Sequence, residues 1–254
     1  MDENKNRYFI KLAYKGTNYH GWQLQGETPT IQLAINNALS VILRDKINVI
    51  GCGRTDTGVH TKKYYAHFDI KNKLNNSELK KLTFKLNGFL SNDIVIFEII
   101  AVSREAHARF NAILRTYKYY ISKRKNPFTQ ETSYYLFGDI DVGLMNKGAK
   151  LLFNFSDFTS FSKSNTQVKT NICKISKAEW IENEDQIIFT ISADRFLRNM
   201  VRAIVGTLID LGLNKITLDD VIKIVESKNR SNAGYSVPAK GLFLTEVQYP
   251  ENLL

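Results

Sequence analysis

Strand-like runs and helical stripes follow one another through the first 102 residues in an order that few folds accept. Arg7 to Tyr14 alternates as a strand does, and the turn-like Lys15-Gly16-Thr17-Asn18 comes next. Thr28-Pro29 opens a helix, with proline in the first turn, where its missing N–H is no loss. Ile31, Ala34, Ile35, Ala38, Leu39 and Ile42 form the buried stripe of that helix. Ile47 to Ile50 reads as a strand and Lys63 to Ile70 as another. A helix from Ser77 carries Leu79, Leu82, Leu86 and Phe89, and Ile94 to Val102 closes the series as a mostly buried strand. The order is βαββαβ, that of the split ferredoxin-like unit.

The rest of the chain repeats this rhythm without repeating the sequence. Arg115 to Ser122 reads as a strand and Val142 to Phe153 as a helix. Asn171 to Ile181 and Gln186 to Ala193 form a hairpin across Asn183-Glu184-Asp185. A strong helix from Arg195 to Leu211, a shorter one from Leu218 to Ser227 and a strand from Leu242 to Tyr249 follow. The connection Ser103 to Ala112 is not a Pro/Ser-rich linker. The expected fold is therefore α+β: two ferredoxin-like (βαββαβ-type) halves, 1–105 and 106–254, sharing a largely antiparallel sheet flanked by helices.

Gly51-Cys52-Gly53-Arg54-Thr55-Asp56-Thr57-Gly58-Val59-His60 packs three glycines, a carboxylate and a guanidinium into one stretch. Glycine at this density marks a sharp turn or a close approach. Gly53 and Gly58 have the spacing of a phosphate-binding Walker loop, but Val59 and His60 stand where that loop needs Lys and Ser or Thr. No GxGxxG lies in the stretch either. What remains is a tight loop presenting Arg54 and Asp56, unless Asp56 merely hydrogen-bonds its own turn.

Composition narrows the class. A net charge of +10 on 254 residues points to a polyanionic partner, nucleic acid or an anionic membrane surface. Met1 to Asn6 has no apolar signal core, and no later run approaches the roughly 18 apolar residues of a membrane span. Cys52 and Cys173 are too few for a disulfide framework and fit a reducing cytosol. Four scattered histidines give no zinc-ligand pattern. Lys163, Lys169 and the Lys123-Arg124-Lys125 run are candidates for phosphate contacts, with a solvated loop as the alternative.

Two further segments suit RNA. On the strand from Arg115, the side chains of Arg115, Tyr117, Tyr119 and Ile121 share one face, while Thr116, Lys118, Tyr120 and Ser122 share the other. Tyrosines interleaved with cations can stack bases while pairing with phosphates; half-buried core tyrosines are the alternative. On the helix from Arg195, helical spacing gathers Arg195, Arg198 and Arg202 opposite the apolar side. Cations at a helix N-terminus are disfavoured by the dipole, which suggests an anion opposite unless the face is simply solvated.

Gly53-Arg54-Thr55-Asp56-Thr57-Gly58-Val59-His60 resembles the GRTDxGVH signature of the tRNA pseudouridine synthase A family. The likeness extends along the chain. Tyr14 to Gln25 is similar to YDGTxYxGWQxQ, Arg115-Thr116-Tyr117-Lys118-Tyr119 to R-x-Y-x-Y, and Asp157 to Phe161 to DFTSF. Phe196 to Gly206 is similar to FxRxMVRxIVG, and Gly241 to Leu244 to GLxL. Lys15, Thr57, Tyr64 and Ser91 depart from residues common in the family, Asp, Ala, Gln and Pro. The resemblance implies that Asp56 is the catalytic nucleophile, attacking C1′ of the ribose or C6 of the uracil. It implies that Arg54 helps hold a flipped nucleotide, Tyr117 contacts the target base and Arg202 pairs with the catalytic carboxylate. It further implies isomerisation of uridine at nucleotides 38 to 40 of the tRNA anticodon stem-loop, by a cytoplasmic homodimer with no cofactor. A noncatalytic ferredoxin-like RNA-binding protein is the rival class, though no RNP1-like run is present; a pseudouridine synthase with another RNA target is the other.

Overall fold

The computed structural model describes residues 5–163 and 170–253. The chain packs as two compact units, one within Met1–Ile113 and Leu244–Leu254, the other within Leu114–Phe243. Each is α+β, with a mostly antiparallel sheet flanked by helices.

In the first unit, β1 (Asn6–Tyr14) lies between β4 (Ile94–Val102) and β3 (His60–Ile70), antiparallel to both. A short β2 (Ile50–Gly51) pairs with β3, as does β9 (Leu242–Gln248), whose residues from Leu244 onward belong to this unit. The run Ile47 to Ile50 is thus not a full strand. Ile47 and Val49 are buried, but only the end of the run pairs. The backbone of Val49 is held instead by Gln32 and Asn36 of α1 (Ile31–Leu43). That helix begins two residues later than the proline implied: Thr30 caps it, accepting from the Leu33 N–H, and Pro29 lies outside. Alternation on β1 sends Tyr8, Ile10, Leu12 and Tyr14, all buried, to one face, and Leu79, Leu82 and Leu86 are the buried residues of α2 (Asn76–Phe89), which packs on β4 and α1. Asn75 and Glu78 close a reciprocal capping box on α2.

In the second unit, β8 (Gln186–Ala193) lies between β5 (Leu114–Ser122) and β7 (Ile175–Glu182), antiparallel to both, and a short β6 (Tyr134–Tyr135) runs parallel to β5. The hairpin turn falls at Asn183 to Asp185, with the Asn183 N–H donating to Gln186 O at 2.9 Å. α3 (Val142–Leu151) packs on β7 and on α4 (Met200–Gly212), and α5 (Leu218–Glu226) completes the helical layer.

The two units share a device that neither stretch advertises in sequence. Asn87 of α2 exchanges two hydrogen bonds of 2.8 Å with the backbone of Ile96 on β4. Asn146 of α3 does the same for Trp180 on β7, at 2.9 and 2.8 Å. Each asparagine satisfies backbone groups of a strand at the end of its unit's strand order, positions that would otherwise invite pairing with another chain.

Candidate active site

The Asp56 loop is built against the segment after β1. Asp56 heads a turn closed by the Val59 N–H donating to Asp56 O at 3.1 Å, with Gly58 in its third position at φ 77°. A type II turn demands that value there, and glycine meets it without strain. Gly21 is the second constrained position. It has φ 82°, and a Cβ on it would collide with the carbonyl oxygen of Thr55. The Trp22 N–H donates to that oxygen at 3.3 Å, and the Gly58 N–H donates to Tyr19 O at 3.4 Å. The glycines of the two motifs therefore let two backbones meet.

Side chains lock this contact from beneath. The Thr55 and Tyr14 hydroxyls hydrogen-bond at 2.8 Å, and the Tyr64 hydroxyl donates to Gly53 O. Trp22 and Tyr64 have ring centroids 4.3 Å apart, and Tyr14 packs on both. All three rings are buried, as is His60, whose Nδ1 accepts the Gly16 N–H at 3.0 Å. Tyr64 and Ser91, two of the departures from the family pattern, thus take supporting parts: the Ser91 hydroxyl bonds that of Tyr19 at 2.8 Å. Above this floor Asp56 is half-buried and Arg54 exposed, with Arg54 Nε donating to Gln23 Oε1 at 3.2 Å.

The second unit carries the other two sequence candidates. Arg202 is the third residue of α4, not part of a three-arginine face. The helix expected from Arg195 starts only at Met200 because Asn199 sits at φ 68°, a left-handed conformation that ends helical continuity and that asparagine tolerates. Asn199 Nδ2 donates to Ser236 Oγ at 2.6 Å. Arg198 lies in the turn before α4 and Arg195 in the irregular segment ahead of it, where Arg195 Nη1 donates to Thr170 O at 3.2 Å.

Arg202 is gripped by one residue at both ends: Nε donates to Val237 O at 2.7 Å, and its own carbonyl accepts the Val237 N–H at 3.3 Å. The segment Gly234 to Pro238 crosses α4 at Gly206, where a Cβ would collide with Tyr235 O. Its far end is held by the Tyr119 hydroxyl, which donates to Pro238 O at 2.9 Å. Burial raises the Tyr119 phenol above its usual pKa, so it stays a neutral donor. Tyr117, two residues away on β5, meets Phe196 edge-on at 5.1 Å. Within this unit, then, β5 and α4 are tied through one loop, which reading the sequence overlooked. The adjoining small residues Gly234 and Ser236 and Pro238 were the available signal.

The expected basic contacts divide. Lys123 pairs with Glu182 at 2.7 Å and Arg124 with Asp185, so two charges of that run already face carboxylates. Lys163 is exposed, its N–H on Arg198 O at 3.0 Å, and Lys169 lies outside the described residues. In the DFTSF segment, Asp157 accepts from the Thr159 hydroxyl at 2.6 Å and pairs with Lys228 at 3.1 Å, which holds its carboxyl below the usual range. Among the described residues no cluster of His, Cys, Asp and Glu is arranged to hold a metal, and no helix is long and apolar enough to cross a membrane.

A family model described as tRNA pseudouridine synthase matches residues 149–250. Three relatives called tRNA pseudouridine synthase A cover nearly the whole chain. That of Azobacteroides pseudotrichonymphae is 52% identical over 245 residues, 96% of this chain and 97% of its own. That of Bacteroides fragilis is 50% identical over 248 residues, 97% and 98% of the two chains. That of Clostridium acetobutylicum is 41% identical over 242 residues, 94% and 98%. With identity at this level from end to end, the chain belongs to the tRNA pseudouridine synthase A family.

Proposed function

We propose that this chain, a pseudouridine synthase and hence an isomerase, uses Asp56 as its nucleophile on uridines of the tRNA anticodon stem-loop, at nucleotides 38 to 40. The reaction breaks the N1–C1′ bond of uridine and forms a C5–C1′ bond. The C5 proton leaves to solvent and N1 regains one, so product and substrate are isomers. A carboxylate suffices as covalent catalyst, as in retaining glycosidases. The target nucleotide must leave the stack, at a cost of a few kcal/mol.

The observation that carries the reading is a half-buried Asp56 at the head of a glycine-closed turn, fixed from below by Tyr14, Trp22 and Tyr64. A nucleophile held in this way loses little freedom on reaching the transition state. The resemblance gives Arg54 the flipped nucleotide, Tyr117 the target base and Arg202 the support of ionised Asp56. Arginine suits that last part because its planar fork fixes the direction of a carboxylate. The edge-on packing of Tyr117 on Phe196 and the double grip on Arg202 support these roles, since both side chains are positioned in advance.

The same reading makes the protein a cytoplasmic homodimer. In the first unit Phe84, Phe89, Val95 and Phe97 of α2 and β4 are exposed apolar side chains of the kind a second copy covers. The test is to map pseudouridine in unmodified tRNA after incubation with wild type and with Asp56→Asn. Wild type should convert uridines only in the anticodon stem-loop, and the variant none. Conversion elsewhere would refute the site, and undiminished conversion by the variant would refute the nucleophile.

A further inference from the structure

A column of rings runs from the core of the first unit to solvent, away from the Asp56 loop. At its base His67 of β3 is 1% exposed, with Nδ1 accepting the Ala108 N–H at 3.2 Å. His107 stands edge-on to it, ring centroids 4.6 Å apart, and Phe110 lies on His107 at 4.3 Å and 32°. Phe110 is 73% exposed. The Arg109 guanidinium carbon lies 5.6 Å from the centre of the Phe110 ring.

The loop that bears these rings is held at several points. His107 Nδ1 accepts the N–H groups of Arg109 and Phe110 at 3.1 and 3.3 Å. Asn111 Oδ1 accepts the His107 N–H at 2.6 Å, and the Asn111 N–H donates to His107 O at 3.1 Å. Arg7 donates to Ala106 O at 2.9 Å while making two bonds of 2.7 and 2.8 Å to Asp69. A large ring is thus kept in water on a fixed support, a costly arrangement for folding alone.

We propose that Phe110 is a stacking platform for an unpaired nucleobase of the RNA substrate, with Arg109 beside it to meet the phosphate flanking that base. The inference rests on the reading of RNA as substrate. Bases stack on aromatic rings and arginine planes whatever their sequence, and a rigid ring loses little entropy in doing so. A protein partner fits less well. Apart from Phe110 and Ile113, the exposed positions of residues 103–113 are Ser103, Arg104, Glu105 and Arg109, too polar for the apolar centre of a protein interface. His67 lies seven positions along β3 from His60, which stands beside the Asp56 loop, a span of about 23 Å of strand. The stacked base is therefore not the one being isomerised; it anchors a second part of the RNA.

The test measures tRNA affinity and the single-turnover rate at saturating tRNA for wild type and for Phe110→Ala, Phe110→Leu and Phe110→Trp. Thermal melts confirm folding, which an exposed side chain should not disturb. Alanine and leucine should both weaken binding about 5- to 100-fold and leave the saturated rate within about twofold, whereas tryptophan should bind at least as tightly as wild type. Leucine equal to wild type, or alanine within about twofold of it, would overturn the platform while leaving the RNA reading intact. A change in sedimentation of the free protein with tRNA affinity unmoved would reassign Phe110 to contact between copies and also overturn it. If wild type neither binds nor converts tRNA, the functional reading fails and takes the platform with it.

Discussion

Gly21 is the residue where sequence, backbone and chemistry meet most closely. Its φ of 82° and the Thr55 carbonyl against it leave no room for a side chain. Gly21→Ala should combine left-handed strain of about 1–2 kcal/mol with displacement of a backbone oxygen. We expect a loss of about 2–4 kcal/mol in urea unfolding and at least tenfold in activity, because the displaced segment is the loop bearing Asp56. An alanine variant with wild-type stability would show that the two segments do not press on each other here. Asp56→Asn is the complementary change: it keeps the shape of the loop and removes the nucleophile. Stability should therefore be retained while turnover disappears.

Among the elements, α4 shows where a sequence stops speaking. Its apolar stripe was readable over most of its length, but helical spacing carried the reading back to Arg195, five residues too far. Nothing in the periodicity marks Asn199 as the stop, since the deciding partner, Ser236, is 37 residues away. Asn199→Ala should cost about 2 kcal/mol, from left-handed strain and the lost hydrogen bond, and Asn199→Gly should recover about half of that. Equal stability of both variants would mean that the conformation of this residue does not matter. β4 and β8, by contrast, appear with the bounds the sequence implied, because a run of β-branched residues between turn residues decides its own extent. The Asp56 loop was legible from its glycines. Its aromatic floor was not, because the Trp22 and Tyr64 rings meet only after β1 and β3 have paired.

For the whole molecule, charge and titration set the working conditions. Burial, with the Arg7 and His107 charges adding to it, lowers His67 from 6.5 to about 4, and burial lowers His107 as well. Between those values the unfolded chain takes up a proton that folded His67 refuses, so stability is full above about pH 6.5 and falls as pH drops toward 4. His67 alone should account for roughly 3 kcal/mol. Below pH 4 a further loss follows as Asp69, held low by its bonds to Arg7, is protonated. Chemical denaturation from pH 7 to 4 should show the slope in wild type and a flatter one in His67→Gln; identical slopes would remove His67 from the account. The central claim is catalytic and is tested most directly by single-turnover release of tritium from tRNA labelled at C5 of its uridines. Wild type should pass the label to water as C5 gains its bond to the ribose. Asp56→Asn should release none while binding the tRNA within a few fold of wild type. Release by the folded variant within tenfold of the wild-type rate would contradict the assignment of Asp56 as nucleophile.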